Sequence, residues 1–110
     1  MTSQTLTKIQ FFTLYVGLAS DKPRFSVITN RERLFTILNS RHSHSYTVIE
    51  GIGSFKGRQE PCMSVSIAYI GESVNDSFLS YIIETANEIK TKLGQEEVWI
   101  SKRDEGLRIV

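Results

Sequence analysis

The run "CMSVSIAYI", Cys62 to Ile70, constrains the fold more than any other stretch of the chain. Met63, Val65, Ile67 and Tyr69 fall on one side of a strand, and Cys62, Ser64, Ser66 and Ala68 on the other. A bulky row of this kind needs helices to cover it. The small row belongs to the opposite face of the sheet, where another surface can come close.

The rest of the sequence supplies the partners of that strand. Gln10–Leu18 alternates, with Phe12, Leu14, Val16 and Leu18 on one face and Phe11, Thr13 and Tyr15 on the other. Thr29 with Glu32 matches a capping box, and a helix is predicted to run to about Asn39 on a stripe of Leu34, Ile37 and Leu38, with Phe35 beside it. Tyr46–Ile52 reads as a second strand. Ser73 or Asn75 can cap a long helix from about Asp76 to Leu93, stopped by Gly94, with Phe78, Ile82, Ala86, Ile89 and Leu93 as its seam. Glu88 and Lys92 form a favourable pair on that helix. "EEVWIS" is a short last strand and "KRDEGLRIV" a tail. The order β-α-β-β-α-β predicts one α+β domain over residues 1–110: a four-stranded antiparallel ferredoxin-like sheet with two helices on one face. Phe11, Tyr15 and Trp99 are expected on the open face, and aromatic side chains left there favour an oligomer.

Charge and composition narrow the function. Thirteen cations against 12 acids give a formal net charge of +1, which argues against a protein built to grip nucleic acid or an anionic membrane. The third strand also lacks the pattern of an RNA-recognition motif. One cysteine, Cys62, excludes an internal disulfide and is compatible with the cytoplasm, the expected location. No secretory signal is visible, and no apolar run approaches the roughly 20 residues of a membrane span.

The segment "EGIGSFKGRQEPC", Glu50 to Cys62, holds three glycines, two cations and two carboxylates where two or three turn residues would reverse the chain. Bare backbone N–H groups beside cations suit phosphate or carboxylate oxygens. Here the chain resembles the PII signal-transduction superfamily. "TVIEGIGSFKG" is similar to that family's second strand and the start of its long loop, "TKLGQEEVWIS" to the turn before its last strand, and "RDEGLRIV" to its C-terminus. The resemblance spans Tyr46–Val110 and implies a homotrimer that binds a nucleotide at subunit clefts. Carried residue by residue, it points to Gly51, Gly53, Lys56, Gly57, Gly94 and Arg108 as ligand-binding residues, with Arg58 beside them. Ser54 and Phe55 stand where the family has arginine and glutamine, which argues against its 2-oxoglutarate site. Glu96 and Glu97 replace a glycine and a phosphate-binding lysine, and two carboxylates would repel a triphosphate. Val110 stands at the second C-terminal arginine.

These features predict a non-enzymatic regulator of PII-like type. It would bind a small anion, an adenine nucleotide such as ADP or AMP, or bicarbonate, order its 54–60 loop, and signal to a transporter or enzyme partner. No cofactor is required. The alternatives are a nucleotide-sequestering or adaptor protein, and a metal-binding protein of the divalent-cation-tolerance type using His42 and His44. A solvated polar turn is the simpler account of those histidines, because a structural zinc site wants four ligands.

Overall fold

The two-faced strand read from the sequence lies inside a four-stranded sheet. The structure, a computed structural model, describes residues 7–20, 24–41, 44–55, 57–71 and 76–107. Its elements are β1 (Thr7–Gly17), α1 (Val27–Ser40), β2 (Tyr46–Phe55), β3 (Arg58–Ile70), α2 (Asp76–Lys92) and β4 (Trp99–Leu107). The sheet order is β2-β3-β1-β4 and each neighbouring pair is antiparallel. This is the ferredoxin-like α+β arrangement expected from the element order. Among the described residues no helix is long and apolar enough to cross a membrane.

Both helices cover one face. Phe12, Leu14, Val16 and Leu18 from the β1 side, Met63, Val65 and Ile67 from β3, Leu34, Ile37 and Leu38 from α1, and Phe78, Ile82, Ala86, Ile89 and Leu93 from the α2 side form one buried cluster. Burying each large aliphatic side chain contributes about 1.5–3 kcal/mol. The helix stripes are those the sequence spacing predicts, and Phe35 lies at their edge, 37% exposed. Glu88 meets both Lys92 (3.7 Å) and Arg41 (3.4 Å).

Three boundaries differ from the sequence reading. Helix α1 starts earlier: Ser26 is its N-cap, with Oγ accepting from the Thr29 N–H at 3.1 Å. The serine–threonine pair (Oγ–Oγ1 2.8 Å) does the work expected of Thr29 and Glu32. Strand β4 continues past Ser101 through "KRDEGL", which reads as a tail because two cations followed by two acids carry no apolar period. Those charges suit an exposed edge; Lys102 pairs with Asp104 at 3.5 Å and Arg103 with Glu105 at 2.7 Å, each across two residues on one face. The 54–60 segment is not a loop. Phe55 pairs with Arg58, so β2 and β3 continue as a two-stranded ribbon to a two-residue turn, with Gly57 at φ +78°. Pairing with β1 ends at Gly17–Cys62, and the ribbon projects beyond it. The caps expected at Ser73 or Asn75 lie outside the described residues.

One buried side chain ties the layers together. Asn30, fully buried on α1, donates from Nδ2 to the carbonyls of Leu18 (2.8 Å) and Leu93 (3.1 Å). It therefore joins the end of β1 to the end of α2. Asn30→Ala leaves two buried carbonyls without that donor and should cost about 2–5 kcal/mol in chemical denaturation. On the other side of the helical layer, burial pushes the Tyr81 phenol above its ordinary value of 10.0, against the opposing pull of Arg41. Its O–H donates to the Arg41 carbonyl at 2.6 Å. The folded chain thus holds this proton longer than the unfolded one. The contribution is intact below pH 10 and declines as the pH rises towards the raised folded value. Tyr81→Phe should lose about 1 kcal/mol at neutral pH and show a flatter fall of stability above pH 10 in a pH series of melts.

Candidate functional site

The open face of the sheet can be written as rows running across its strands. Pairing places Ile49, Ser64, Tyr15 and Trp99 in one row, and Gly51, Cys62 and Gly17 in the next; Gly53 faces Glu60 beyond them. The first row is apolar at its ends: Ile49 and Trp99 are each 64% exposed. The second row carries a single side chain. Both cross-strand partners of Cys62 are glycines, Gly17 and Gly51, and a Cβ on Gly53 would come 3.5 Å from Sγ. Glycines inside strands mark a close approach of something to the backbone. The result is a shallow trough with a main-chain floor, beside an aromatic shelf of Tyr15 and Trp99. The expectation that Phe11, Tyr15 and Trp99 share the open face is met, with Arg103 over the Phe11 ring at 5.1 Å.

The end of α2 meets the same trough. Gly94 has φ +62°, and the Gln95 and Gly94 N–H groups bond to the Lys90 (3.0 Å) and Thr91 (3.3 Å) carbonyls. This is the Schellman helix stop. The turn then delivers Gln95 onto Gly17: a Cβ there would lie 2.8 Å from Gln95 Oε1. Gln95 Nε2 donates to the Ala19 carbonyl (3.0 Å) and the Leu93 carbonyl (3.2 Å). Glu96 and Glu97 follow, both exposed. Glu60 borders the other side, 3.6 Å from Arg58.

The residues singled out from the sequence therefore separate into groups. Gly51 and Gly53 lie at the trough, and the turn after Gly94 closes one end of it. Neither Gly51 nor Gly53 has positive φ; both are extended, so they do not form the anion-binding nest expected of a glycine-rich loop. Their contribution is the absence of a side chain. Gly57 and Arg58 sit at the outer end of the ribbon. Lys56 and Arg108 lie outside the described residues. Leu107 pairs with Thr7, at the far end of β1 from Gly17 and about 33 Å away at roughly 3.3 Å per residue. His42 is outside the described residues, whereas the His44 ring packs 4.8 Å from both Phe78 and Tyr81. Among the described residues no three His, Cys, Asp or Glu side chains are grouped as metal ligands. Sequence reading missed Gly17, Gln95 and Glu60 as a set, because cross-strand register alone brings them together.

Gly94 has a structural duty of its own. A Cβ on it would also come 2.9 Å from the Phe25 ring. Gly94→Ala should destabilise the fold by about 1–2 kcal/mol from the left-handed backbone alone, plus the clash with Phe25. Adding Phe25→Ala should recover only the steric part, as a double-mutant cycle in denaturant would measure.

No protein-family model matches the chain, and no characterised protein matches it by sequence. Solved structures do resemble it. A phage SAM lyase in complex with S-methyl-5′-thioadenosine superposes with a TM-score of 0.59 at 16% identity, over 97% of this chain and 89% of that one. The apo form of a phage SAM lyase gives 0.56 at 18% identity, over 97% and 88%. CPII, a nitrogen regulatory PII-like protein from Thiomonas intermedia K12 bound to ADP, AMP and bicarbonate, gives 0.52 at 10% identity, over 94% and 99%. At these identities the likeness is one of fold, and that fold is the ferredoxin-like β-α-β-β-α-β arrangement read from the sequence, which a PII-like regulator also has. The lyases correct one expectation. An enzyme is built on this fold over nearly the whole chain, so the inference of a non-enzyme from a PII-like pattern is withdrawn. A fold hosts both regulators and catalysts, and the site decides between them.

Proposed function

We propose that the chain binds a 5′-substituted adenosine in the trough and cleaves S-adenosylmethionine. The observation that carries this reading is the conjunction at one end of the sheet: the row Gly17–Cys62–Gly51, whose only own side chain is Cys62, with Gln95 Oε1 over Gly17, Glu60 two residues from Cys62 on the same face, and exposed Glu96 and Glu97 next along the chain from Gln95. Support comes from two structures of the same fold that hold 5′-substituted adenosines, methylthioadenosine in one and ADP and AMP in the other. The charge of the border favours the first kind. Glu60 is partly offset by Arg58 at 3.6 Å, but with exposed Glu96 and Glu97 the carboxylates outnumber the cation and suit a ligand with a sulfonium and an ammonium better than one with phosphates, since like charges at close range disfavour binding. Extended glycines give no phosphate nest.

The chemistry asks little of the protein. The substrate's own carboxylate oxygen can attack its γ carbon. The C–S bond breaks, its electron pair goes to sulfur, and methylthioadenosine and a lactone leave. No proton is transferred and no cofactor is consumed. What the site must supply is conformation: the methionyl arm folded back on itself and screened from water. A carboxylate beside the sulfonium would stabilise the reactant more than the transition state, where that charge is vanishing. Glu60 and Glu96 therefore act best on the α-ammonium, holding the arm in its bent form.

The trough is open on one side in a single chain. Exposed Tyr15, Trp99, Ile49 and Ile70 on the same face favour closure by further copies, and a homotrimer is the assembly proposed. Regulation of a partner protein by the occupied state is compatible with this site, and CPII, with its ADP and AMP, is the observation that favours nucleotide binding as a second reading.

Incubation of the purified protein with S-adenosylmethionine should release methylthioadenosine, followed by chromatography. Glu60→Gln and Glu96→Gln should each weaken substrate binding or turnover by about tenfold or more, the worth of one charged hydrogen bond. Methylthioadenosine should protect Cys62, the chain's single cysteine, from maleimide, and a native mass spectrum should show three subunits. Saturable binding of ADP or AMP without turnover would favour the second reading. Absence of binding by any of these ligands, or a lone subunit in dilute solution, would sink both.

A further inference from the structure

The trough holds one side chain whose orientation is set before any ligand arrives. Gln95 Nε2 donates to two main-chain carbonyls, Ala19 and Leu93, so both of its amide hydrogens are used. The reverse orientation would point Oε1 at the same two carbonyl oxygens, so the network fixes which end is which. The Leu93 carbonyl also accepts from buried Asn30 at 3.1 Å, which anchors the arrangement in the core. Oε1 is left facing Gly17 on the open side of the sheet, the side that also carries Tyr15. Among the described residues Oε1 receives no hydrogen bond.

A fixed, neutral acceptor selects a neutral donor. The ammonium of a substrate is better served by Glu60 and Glu96, where full charges act. Next to Gly17 in the adjoining row stand Tyr15 and Trp99, a surface on which a π system can lie. A donor attached to a flat ring satisfies both neighbours at once. We infer that Gln95 is the specificity-determining residue for the base: its Oε1 accepts from the 6-amino group of adenine while the ring rests on the Tyr15–Trp99 shelf. This rests on the reading of the site as an adenosine trough and adds which atom reads the base.

Hypoxanthine separates this from other roles, because it carries a carbonyl oxygen where adenine carries the amine, and two acceptors would then face each other. Titration calorimetry of the full chain with 5′-methylthioadenosine and 5′-methylthioinosine should show a preference for the first of roughly tenfold or more. Gln95→Met removes the acceptor. Gly17→Ala keeps Gln95 but places a methyl where Oε1 sits, and only the flexible end of a side chain has to move, so this variant should fold. Both variants should reduce the preference to under about threefold. Their melting curves report folding separately, and the ratio of two ligands on one protein cancels any general loss. A preference unchanged in Gly17→Ala and Gln95→Met overturns the assignment, as does a wild-type protein that binds both nucleosides equally; in either case the adenosine trough itself stands. A wild-type protein that binds neither removes the trough reading and this assignment with it.

Discussion

The architecture turns on the Asn30 carboxamide. The end of β1 and the end of α2 converge beside the first turns of α1, and both leave main-chain carbonyls with no partner in their own element. Burying them unpaired would cost more than most single contacts return. Asn30 Nδ2 reaches both the Leu18 and the Leu93 carbonyls, and Gln95 takes the Ala19 carbonyl and shares the Leu93 one. Two amide side chains therefore close an opening that hydrophobic packing cannot. Because Leu93 also precedes the helix stop, the same contact sets where Gln95 and Glu96 leave the helix.

That placement brings Gln95 to the open face of the sheet, at the proposed site. Glycines in strands weaken a sheet and contribute no packing, so a row with glycine on both sides of Cys62 carries a cost in stability. The cost is tolerable at the margin, where β1 ends and the β2–β3 ribbon continues alone. There the main chain lies open between an aromatic shelf and Glu60, with Gln95 at one end. Nothing in this geometry resembles a phosphate cradle, which requires successive N–H groups turned inward by positive φ. The proposed ligand, flat at one end and cationic at the other, asks for no such cradle.

Much of the fold was legible in the residues. The alternation of Met63–Tyr69, the seams of both helices and the stop at Gly94 are local patterns, and local patterns dictate local structure. The ribbon and β4 were misread for one shared reason. Both are edges or extensions with no buried face, so their residues carry no hydrophobic period, and glycines and charges imitate a loop. The cap moved from Thr29 to Ser26 because either hydroxyl can end a helix, and packing of Val27 against the core decides where it starts. Asn30 resembled any polar residue on a helix, and Gln95 any residue after a glycine.

By itself, the sequence determined the element order, the face each strand buries and the residues of the core, because these follow from periods of two and 3.6 within a few turns of chain. It also held the glycines and carboxylates of the trough. Only the tertiary structure decided that Gly17, Gly51, Cys62 and Gln95 meet. Those residues stand far apart along the chain, and their approach depends on cross-strand register and on two shared carbonyls, which no neighbouring residues in the chain encode.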